Sequence, residues 1–249
     1  MTSFSWHDAY YSELQSLYAL LVVPVAFLAW RLAAPCDPAR AVVPQAARFV
    51  SLATLVFALE TMLDPIATGP MLKSAALRGT LAATLVPFLF VYLGDLRVLL
   101  VARAVMRPAE SFRRTLGFAS VASAIVPVAT GVLYLGHRAI WPNADGQWMW
   151  MIYEAGFLAL CVFATRVWLP RERVRTDGID REARAFLASL FGYSAAYYAL
   201  WLAADVLIVV AGLDLGWAIR MLPNQLYYAF WAAFVYARFF SVPARNALR

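Results

Sequence analysis

The sequence contains little charge for its length. Charged residues make up 14% of the 249 residues, whereas hydrophobic residues make up 63%. Soluble domains carry about 25% charged and about 45–50% apolar residues. A soluble protein of this composition would expose large apolar patches and aggregate. The composition therefore indicates an integral membrane protein.

Cysteine and histidine are too scarce for the usual metal centres. Cys36 lies in a loop, Cys161 lies inside an apolar run, and the chain has no CxxC pair. A cysteine-based zinc or iron–sulfur site therefore lacks its ligands, and a disulfide is not expected. His7 and His137 are fewer imidazoles than intramembrane metallohydrolases, di-iron hydroxylases or bis-His haem proteins need. We expect no metal and no cofactor.

Several other motifs are missing. A retinal Schiff base needs a lysine in the seventh span, and Lys73 is the only lysine of the chain. No DDxxD cluster is present to hold magnesium and a diphosphate, and no G-x-S-x-G motif or Ser–His pair supports a hydrolase. What remains is chemistry that carboxyl groups and aromatic rings can perform alone.

Long apolar runs account for most of the chain. A helix needs about 20 apolar residues to cross about 30 Å of hydrocarbon. Seven runs meet this length, at about 14–32, 47–66, 79–101, 116–135, 148–169, 185–212 and 217–240. The pattern predicts one all-α domain over residues 1–249, a polytopic seven-transmembrane-helix bundle.

Arginine is unevenly distributed between the loops. The first, third and fifth loops and the C-terminal tail are rich in arginine, and the alternate loops are poorer. Because cytoplasmic loops carry the excess of basic residues, we expect the N-terminus outside and the C-terminus in the cytoplasm. The net charge of +6 suits anionic headgroups rather than nucleic acid, so the expected partner is the lipid bilayer, here the bacterial inner membrane.

Ionisable side chains inside the spans are the functional candidates, because each costs roughly 2.5–3.5 kcal/mol on insertion scales. Glu60 lies in the outer half of the second span, and Asp64 shares its helix face. Since Pro65 follows, Asp64 is either a solvated helix-end residue or part of a binding site. The other polar residues predicted on the outer side, which could line one cavity with Glu60, are Glu154, Asp205, Arg220, Asn224 and Gln225.

Aromatic side chains accompany these polar residues. They are Tyr153, Tyr197, Tyr198, Trp201, Tyr227, Tyr228 and Trp231. A carboxylic acid among ring faces suits a cationic ligand or a carbocation, because ring faces attract positive charge. Asp95 and Arg97 of "GDLR", with Arg166, are predicted to form an inner-leaflet network of snorkelling arginines.

The layout resembles a known family of enzymes. Seven spans in 249 residues, the glutamate of "ALETMLDP" in the second span and a late intramembrane acid resemble the small integral-membrane terpene cyclases. These belong to fungal meroterpenoid and indole-diterpene pathways, with bacterial relatives that act on prenylated indoles. The resemblance implies that Glu60 is an essential acid, with Asp205 or Glu154 as its partner, or with Asn224 of "PNQLYY" at the partner position.

The resemblance also implies a mechanism and a substrate. A buried carboxylic acid protonates an alkene or an epoxide of a lipophilic prenylated substrate, carbocation-driven ring closure follows, and a second group removes the last proton. The residues expected to bind the substrate are Asp64, Tyr153, Tyr197, Tyr198, Trp201, Arg220, Asn224, Gln225, Tyr228 and Trp231. Two alternatives stay open, namely a carboxylate-based proton- or cation-coupled transporter of small solutes and a non-catalytic membrane subunit.

Overall fold

The computed structural model of the protein describes residues 4–34, 37–71, 80–143, 145–171 and 181–241. All the regular secondary structure in these ranges is helical. The eight helices of these ranges are α1 (Trp6–Tyr11), α2 (Leu14–Ala33), α3 (Ala47–Ile66), α4 (Leu81–Met106), α5 (Phe112–Ile140), α6 (Gln147–Arg171), α7 (Arg181–Val210) and α8, which covers 215–239. The predicted all-α fold is confirmed for this part of the chain.

Six helices, α2 to α7, are long and apolar enough to cross a membrane. They confirm the polytopic membrane bundle. They also overlap in position with the first six predicted spans, although the predicted start of the third span, residue 79, lies outside the described residues. The seventh predicted span, 217–240, is helical as α8 but is not among these six. Arg220, Asn224 and Gln225 make its first half more polar than the other spans.

The second half of helix α4 lies inside the bundle. Consecutive helices from α2 to α8 pack side by side, α8 also packs against α2 and α3, and α4 additionally contacts α7. Residues 94–102 of α4 are buried on every face. A helix with one face toward lipid would instead show a stripe of exposed residues. The polar residues Asp95 and Arg97 are therefore held in the protein interior.

A tight turn joins α7 to α8. Gly212 has φ 65°, in the left-handed region that glycine adopts without a steric penalty, and the N–H of Leu213 donates to the carbonyl of Leu207 at 2.9 Å. The two helices are consequently antiparallel, and Asp205 near the end of α7 faces Arg220 near the start of α8. The end of the bundle that carries this turn and α1 is called the outer end, after the predicted orientation.

Helix α8 contains a π-helical stretch. Its three consecutive segments are Leu215–Asn224 (α), Gln225–Phe230 (π) and Trp231–Phe239 (α). Pro223 lies two residues before the start of the stretch and has no backbone N–H to donate, which interrupts the regular ladder of helical hydrogen bonds. Such stretches are frequent at functional sites. Tyr227 and Tyr228, two neighbouring aromatic residues of the bundle interior, both belong to it.

Cysteine labelling tests whether α8 crosses the membrane. In a Cys36→Ser/Cys161→Ser background, we expect Leu213→Cys to react with an impermeant maleimide in intact cells, because the α7–α8 turn faces outward. Ser241→Cys, just after α8, should react only after permeabilisation, like a control Ala109→Cys in the α4–α5 loop. Equal labelling at positions 213 and 241 in intact cells would show that α8 does not span.

Candidate functional site

A cavity of about 170 Å³ lies toward the outer end, between α1, α4, α6, α7 and α8. The side chains that line it are Tyr10, Val91, Asp95, Trp150, Tyr153, Glu154, Tyr198, Trp201, Arg220, Asn224, Tyr227 and Tyr228. Seven of these twelve are aromatic and two are carboxylic acids. Small-molecule sites are mostly apolar, with a few polar groups that fix the orientation of the ligand. The wall of this cavity has that composition.

Helical spacing explains how the aromatic wall forms. Trp150, Tyr153 and Glu154 stand three and four residues apart on α6, and residues so spaced share one helix face. Tyr198 and Trp201 have the same relation on α7, with their ring centres 5.9 Å apart. The rings of different helices also touch, since the ring centres of Trp201 and Tyr227 are 5.1 Å apart. The wall is thus a connected ring cluster.

Asp95 is a buried carboxyl group of α4 that lies in contact with α6 and α7. It is 2% exposed, and the hydroxyl groups of Tyr153 and Tyr198 both donate to its carboxylate. One donor comes from α6 and the other from α7, so the carboxylate ties α4 to both helices. The ring of Phe157 stacks on Tyr198 at 5.1 Å and supports its orientation.

Arg220 connects the polar groups nearer the outer end. Its guanidinium donates to Asp205, and its Nη2 lies 3.8 Å from Oε1 of Glu154. Asp205 also accepts the side-chain amide of Gln147 at 2.8 Å. By contrast, Oε2 of Glu154 has no hydrogen-bond partner among the described residues. Of the two acids beside Arg220, Glu154 is therefore the one with a carboxyl oxygen that no described residue engages.

Arg97 forms a second charged centre, next to Tyr227. It is fully buried, and its Nη2 donates to the carbonyl oxygen of Tyr227 at 2.6 Å. Its Cζ lies 4.3 Å from the ring centre of Tyr227 and 4.5 Å from that of Trp231, distances at which ring faces attract a cation. Its Nη1 lies 3.6 Å from Oε2 of Glu60, whose two carboxyl oxygens have no hydrogen-bond partner in the described ranges.

Asp64 is buried rather than solvated. It is 2% exposed, and its Oδ1 accepts the hydroxyl of Thr68 at 3.3 Å. The expectation that Pro65 ends the helix at water is wrong, because α3 runs to Ile66 and continues as a π-helical turn, Ala67–Met71. Tyr228 lies beside Asp64, which links α3 to the cavity wall.

The buried acids outnumber the guanidinium groups that face them. Within the described ranges, five carboxyl groups of the spans are buried, and two arginines pair with members of this set. The acids are Glu60, Asp64, Asp95, Glu154 and Asp205, and the arginines are Arg97 and Arg220. Three acids are in excess, and an uncompensated charge is costly at this depth. The interior is therefore suited to hold protons on carboxyl groups.

Seven of the thirteen predicted site residues line the cavity. They are Tyr153, Glu154, Tyr198, Trp201, Arg220, Asn224 and Tyr228. Six do not line it, namely Glu60, Asp64, Asp205, Tyr197, Gln225 and Trp231. Asp205, Tyr197 and Trp231 are fully buried behind the wall, and Gln225 is half-buried. The structure thus brings Glu154, Arg220 and Asn224 to one cavity and places Glu60 beside Arg97.

Four residues that line the cavity were not predicted there from the sequence, namely Tyr10, Val91, Asp95 and Trp150. The predicted inner-leaflet network is wrong for Asp95 and Arg97, because α4 extends to Met106 and both residues lie well inside it. Their burial follows from the central position of α4, which hydropathy does not report. The signal in the sequence that could have indicated their burial is the pair itself, since Asp95 and Arg97 stand two residues apart inside a long apolar run.

No protein-family model, curated protein or solved structure matches the chain. Among the residues that the structure describes, no group of three or more His, Cys, Asp or Glu side chains could hold a metal ion. The site is therefore characterised by its own geometry.

Gly94 allows Tyr227 to reach the cavity wall. A Cβ at this position would overlap the hydroxyl and ring of Tyr227, whose hydroxyl donates to the carbonyl of Val91 at 3.3 Å. We expect Gly94→Ala to lower the free energy of unfolding by about 1–3 kcal/mol through overpacking, measured by thermal unfolding in detergent. Gly131→Ala on α5, where a Cβ meets no atom within 4 Å, is the matched control. Equal stability of both variants would contradict the close approach.

The Arg97–Glu60 pair can be tested by a double substitution. Arg97→Met should lower the free energy of unfolding by about 3–5 kcal/mol, because it leaves buried acids without their cation. Adding Glu60→Gln should recover part of this loss, as followed by thermal unfolding of the purified proteins. Arg166→Met, at an exposed position near the end of α6, serves as the control. If Glu60→Gln recovered nothing, the importance of Arg97 would lie in its ring contacts instead.

Proposed function

We propose that the protein is a membrane-embedded terpene cyclase that protonates an alkene or an epoxide of a prenylated lipophilic substrate. The observation that carries the proposal is the cavity wall, in which seven aromatic rings surround two carboxyl groups. Rings stabilise a travelling positive charge, and a carboxyl group can start the reaction and another can end it. A substrate of this kind dissolves in the bilayer that surrounds the bundle, which suits an enzyme embedded in the membrane.

Glu154 is the proton donor that the contacts favour. It lines the cavity, it is 3% exposed, and its Oε2 has no hydrogen-bond partner within the described ranges. Transfer of its proton to the substrate leaves a carboxylate 3.8 Å from Nη2 of Arg220. That cation stabilises the negative charge as it develops, which lowers the barrier to the first step.

Ring closure then moves the positive charge along the wall. The π electrons of an alkene form each new carbon–carbon bond and leave a cation one step further along the chain. The faces of Trp201, Tyr198 and Tyr227 are available to stabilise it. Loss of a proton from a carbon next to the last cation forms the final alkene, and Asp95 or the Glu154 carboxylate accepts that proton. An alkene-started cycle is therefore an isomerisation with no net proton uptake.

Glu60 has a different place in this proposal from the one that the resemblance implies. It does not line the cavity, and it faces Arg97, whose guanidinium contacts the ring of Tyr227. We assign Glu60 the role of holding Arg97, and through it Tyr227, in position. Variants of Glu60 and Glu154 can therefore show by experiment which of the two carboxyl groups is the proton donor.

Product analysis of variants tests the proposal. Membranes that contain the protein are incubated with farnesylated and epoxyprenylated aromatic acceptors, and the products are identified by mass spectrometry and NMR. We expect Glu154→Gln to lower the cyclisation rate by about 100-fold or more, the usual loss for a missing general acid. Asp95→Asn should lower it too, whereas Glu182→Gln, an exposed acid at the start of α7, should leave it unchanged.

Two results would overturn parts of the proposal. If Glu154→Gln kept full cyclisation activity and Glu60→Gln lost it, the proton donor would be Glu60 rather than Glu154. Absence of cyclised product from every such acceptor with the unmodified protein would argue against cyclisation.

A proton- or cation-coupled transporter is the second candidate. The observation that favours it is the polar chain from Gln147 through Asp205 and Arg220 to Glu154, which joins the outer end of α6 to the cavity. Uptake of a small solute into proteoliposomes that depends on a pH gradient and on Glu154, with no cyclised product, would support it.

A further inference from the structure

The short helix α1 lies over the outer side of the cavity. It packs against the first segment of α8, and the rings of His7, Tyr10 and Tyr11 all lie 5.0–5.4 Å from Trp217. Tyr10 lines the cavity. This places a residue from before the first span in the wall that the spans build.

Tyr10 is bound to the polar groups of the cavity. Its hydroxyl oxygen accepts the Nε–H of Arg220 at 3.3 Å and the side-chain amide of Asn224 at 3.1 Å. Asn224 in turn accepts the indole N–H of Trp201 at 2.8 Å. Tyr10 therefore completes a hydrogen-bond chain across the wall, on the side where Arg220 and Glu154 meet.

Asp214 holds α1 in this position. Its carboxylate accepts the backbone N–H of Trp6 at 2.6 Å, the N–H of His7 at 3.1 Å and the hydroxyl of Ser5 at 3.4 Å. These hydrogen bonds, chiefly the one from the N–H of Trp6, lower the pKa of Asp214. The Asp214 carboxylate is therefore charged at neutral pH. A carboxylate at a helix N-terminus satisfies N–H groups that have no partner inside the helix.

Helix α1 depends on such contacts because it is short. It has six residues, and isolated helices below about 12–15 residues are marginal in water. The residue that precedes it, Ser5, makes no side-chain cap of its own. Asp214, from the α7–α8 turn, supplies the cap from another part of the chain. Removal of this cap should therefore release α1 without removing any residue of the spans.

We propose that α1 is a cover of the cavity, that Tyr10 is the substrate-positioning residue it supplies, and that Asp214 is the positioning residue that holds it closed. In this position α1 controls access to the cavity, whichever chemistry takes place there. In a cyclase, such a cover would keep water from Glu154 and from carbocations, which water quenches.

Labelling of the cavity tests the cover without any turnover. Val91→Cys places a thiol in the wall, in the Cys36→Ser/Cys161→Ser background. A small charged methanethiosulfonate is added from the outer side, and the rate of modification is followed by mass spectrometry. We expect Asp214→Ala, which leaves no side-chain oxygen to accept the N–H groups of Trp6 and His7, to raise this rate about fivefold or more, the change that corresponds to loss of a typical helix cap. Tyr10→Ala should raise it as well.

The control is Asp8→Ala, which removes an acid of α1 itself whose side chain is 82% exposed and lies 3.2 Å from Nδ1 of His7. It should leave the rate unchanged. Unchanged rates in Asp214→Ala and Tyr10→Ala, or an equal rise in Asp8→Ala, would overturn the proposal. Size-exclusion elution and unfolding temperature show that each variant is folded. Because the readout needs no substrate, failure of the cyclase proposal and failure of the cover are distinguishable.

Discussion

The guanidinium of Arg97 is the group on which the interior of the bundle depends. It belongs to the central helix α4, it donates to a backbone carbonyl of α8, and it faces a carboxyl group of α3. Two aromatic rings of α8 lie against it. A charge in this position is tolerated only when its surroundings compensate it, so the positions of three helices are coupled to one side chain.

The cavity lies between two charged centres of similar composition. Arg97 with Glu60 forms one, and Arg220 with Asp205 and Glu154 forms the other. Tyr227 contacts the first centre and lines the cavity, while Arg220 belongs to the second and also lines it. A ligand in the cavity therefore meets rings and acids together, with each guanidinium already engaged by a carboxylate. This arrangement suits an apolar ligand that becomes positively charged better than one that carries negative charge.

Much of the fold could be predicted from the sequence, because length and hydropathy determine whether a helix can span. Six of the seven spans followed from this rule, and Glu154, Arg220 and Asn224 were expected at one cavity because they lie at the same depth. The rotation of each helix and its place in the bundle depend on tertiary packing, which hydropathy does not contain. For this reason Asp95 was expected at the membrane surface and lies at the centre. Tyr10 was missed because it precedes the first apolar run, where nothing in the pattern indicates that the chain folds back.

The tight turn at Gly212 has a consequence for how the protein is made. Helix α8 is the least apolar of the long helices, and on its own it would carry Arg220 toward hydrocarbon without a counter-charge. The turn places Asp205, fifteen residues earlier in the chain, within reach of that arginine. A hairpin of α7 and α8 can thus leave the translocation machinery as a neutral unit, whereas either helix alone would expose a charge to lipid. The left-handed conformation of Gly212 thus lets the charged side chains of two neighbouring helices neutralise each other.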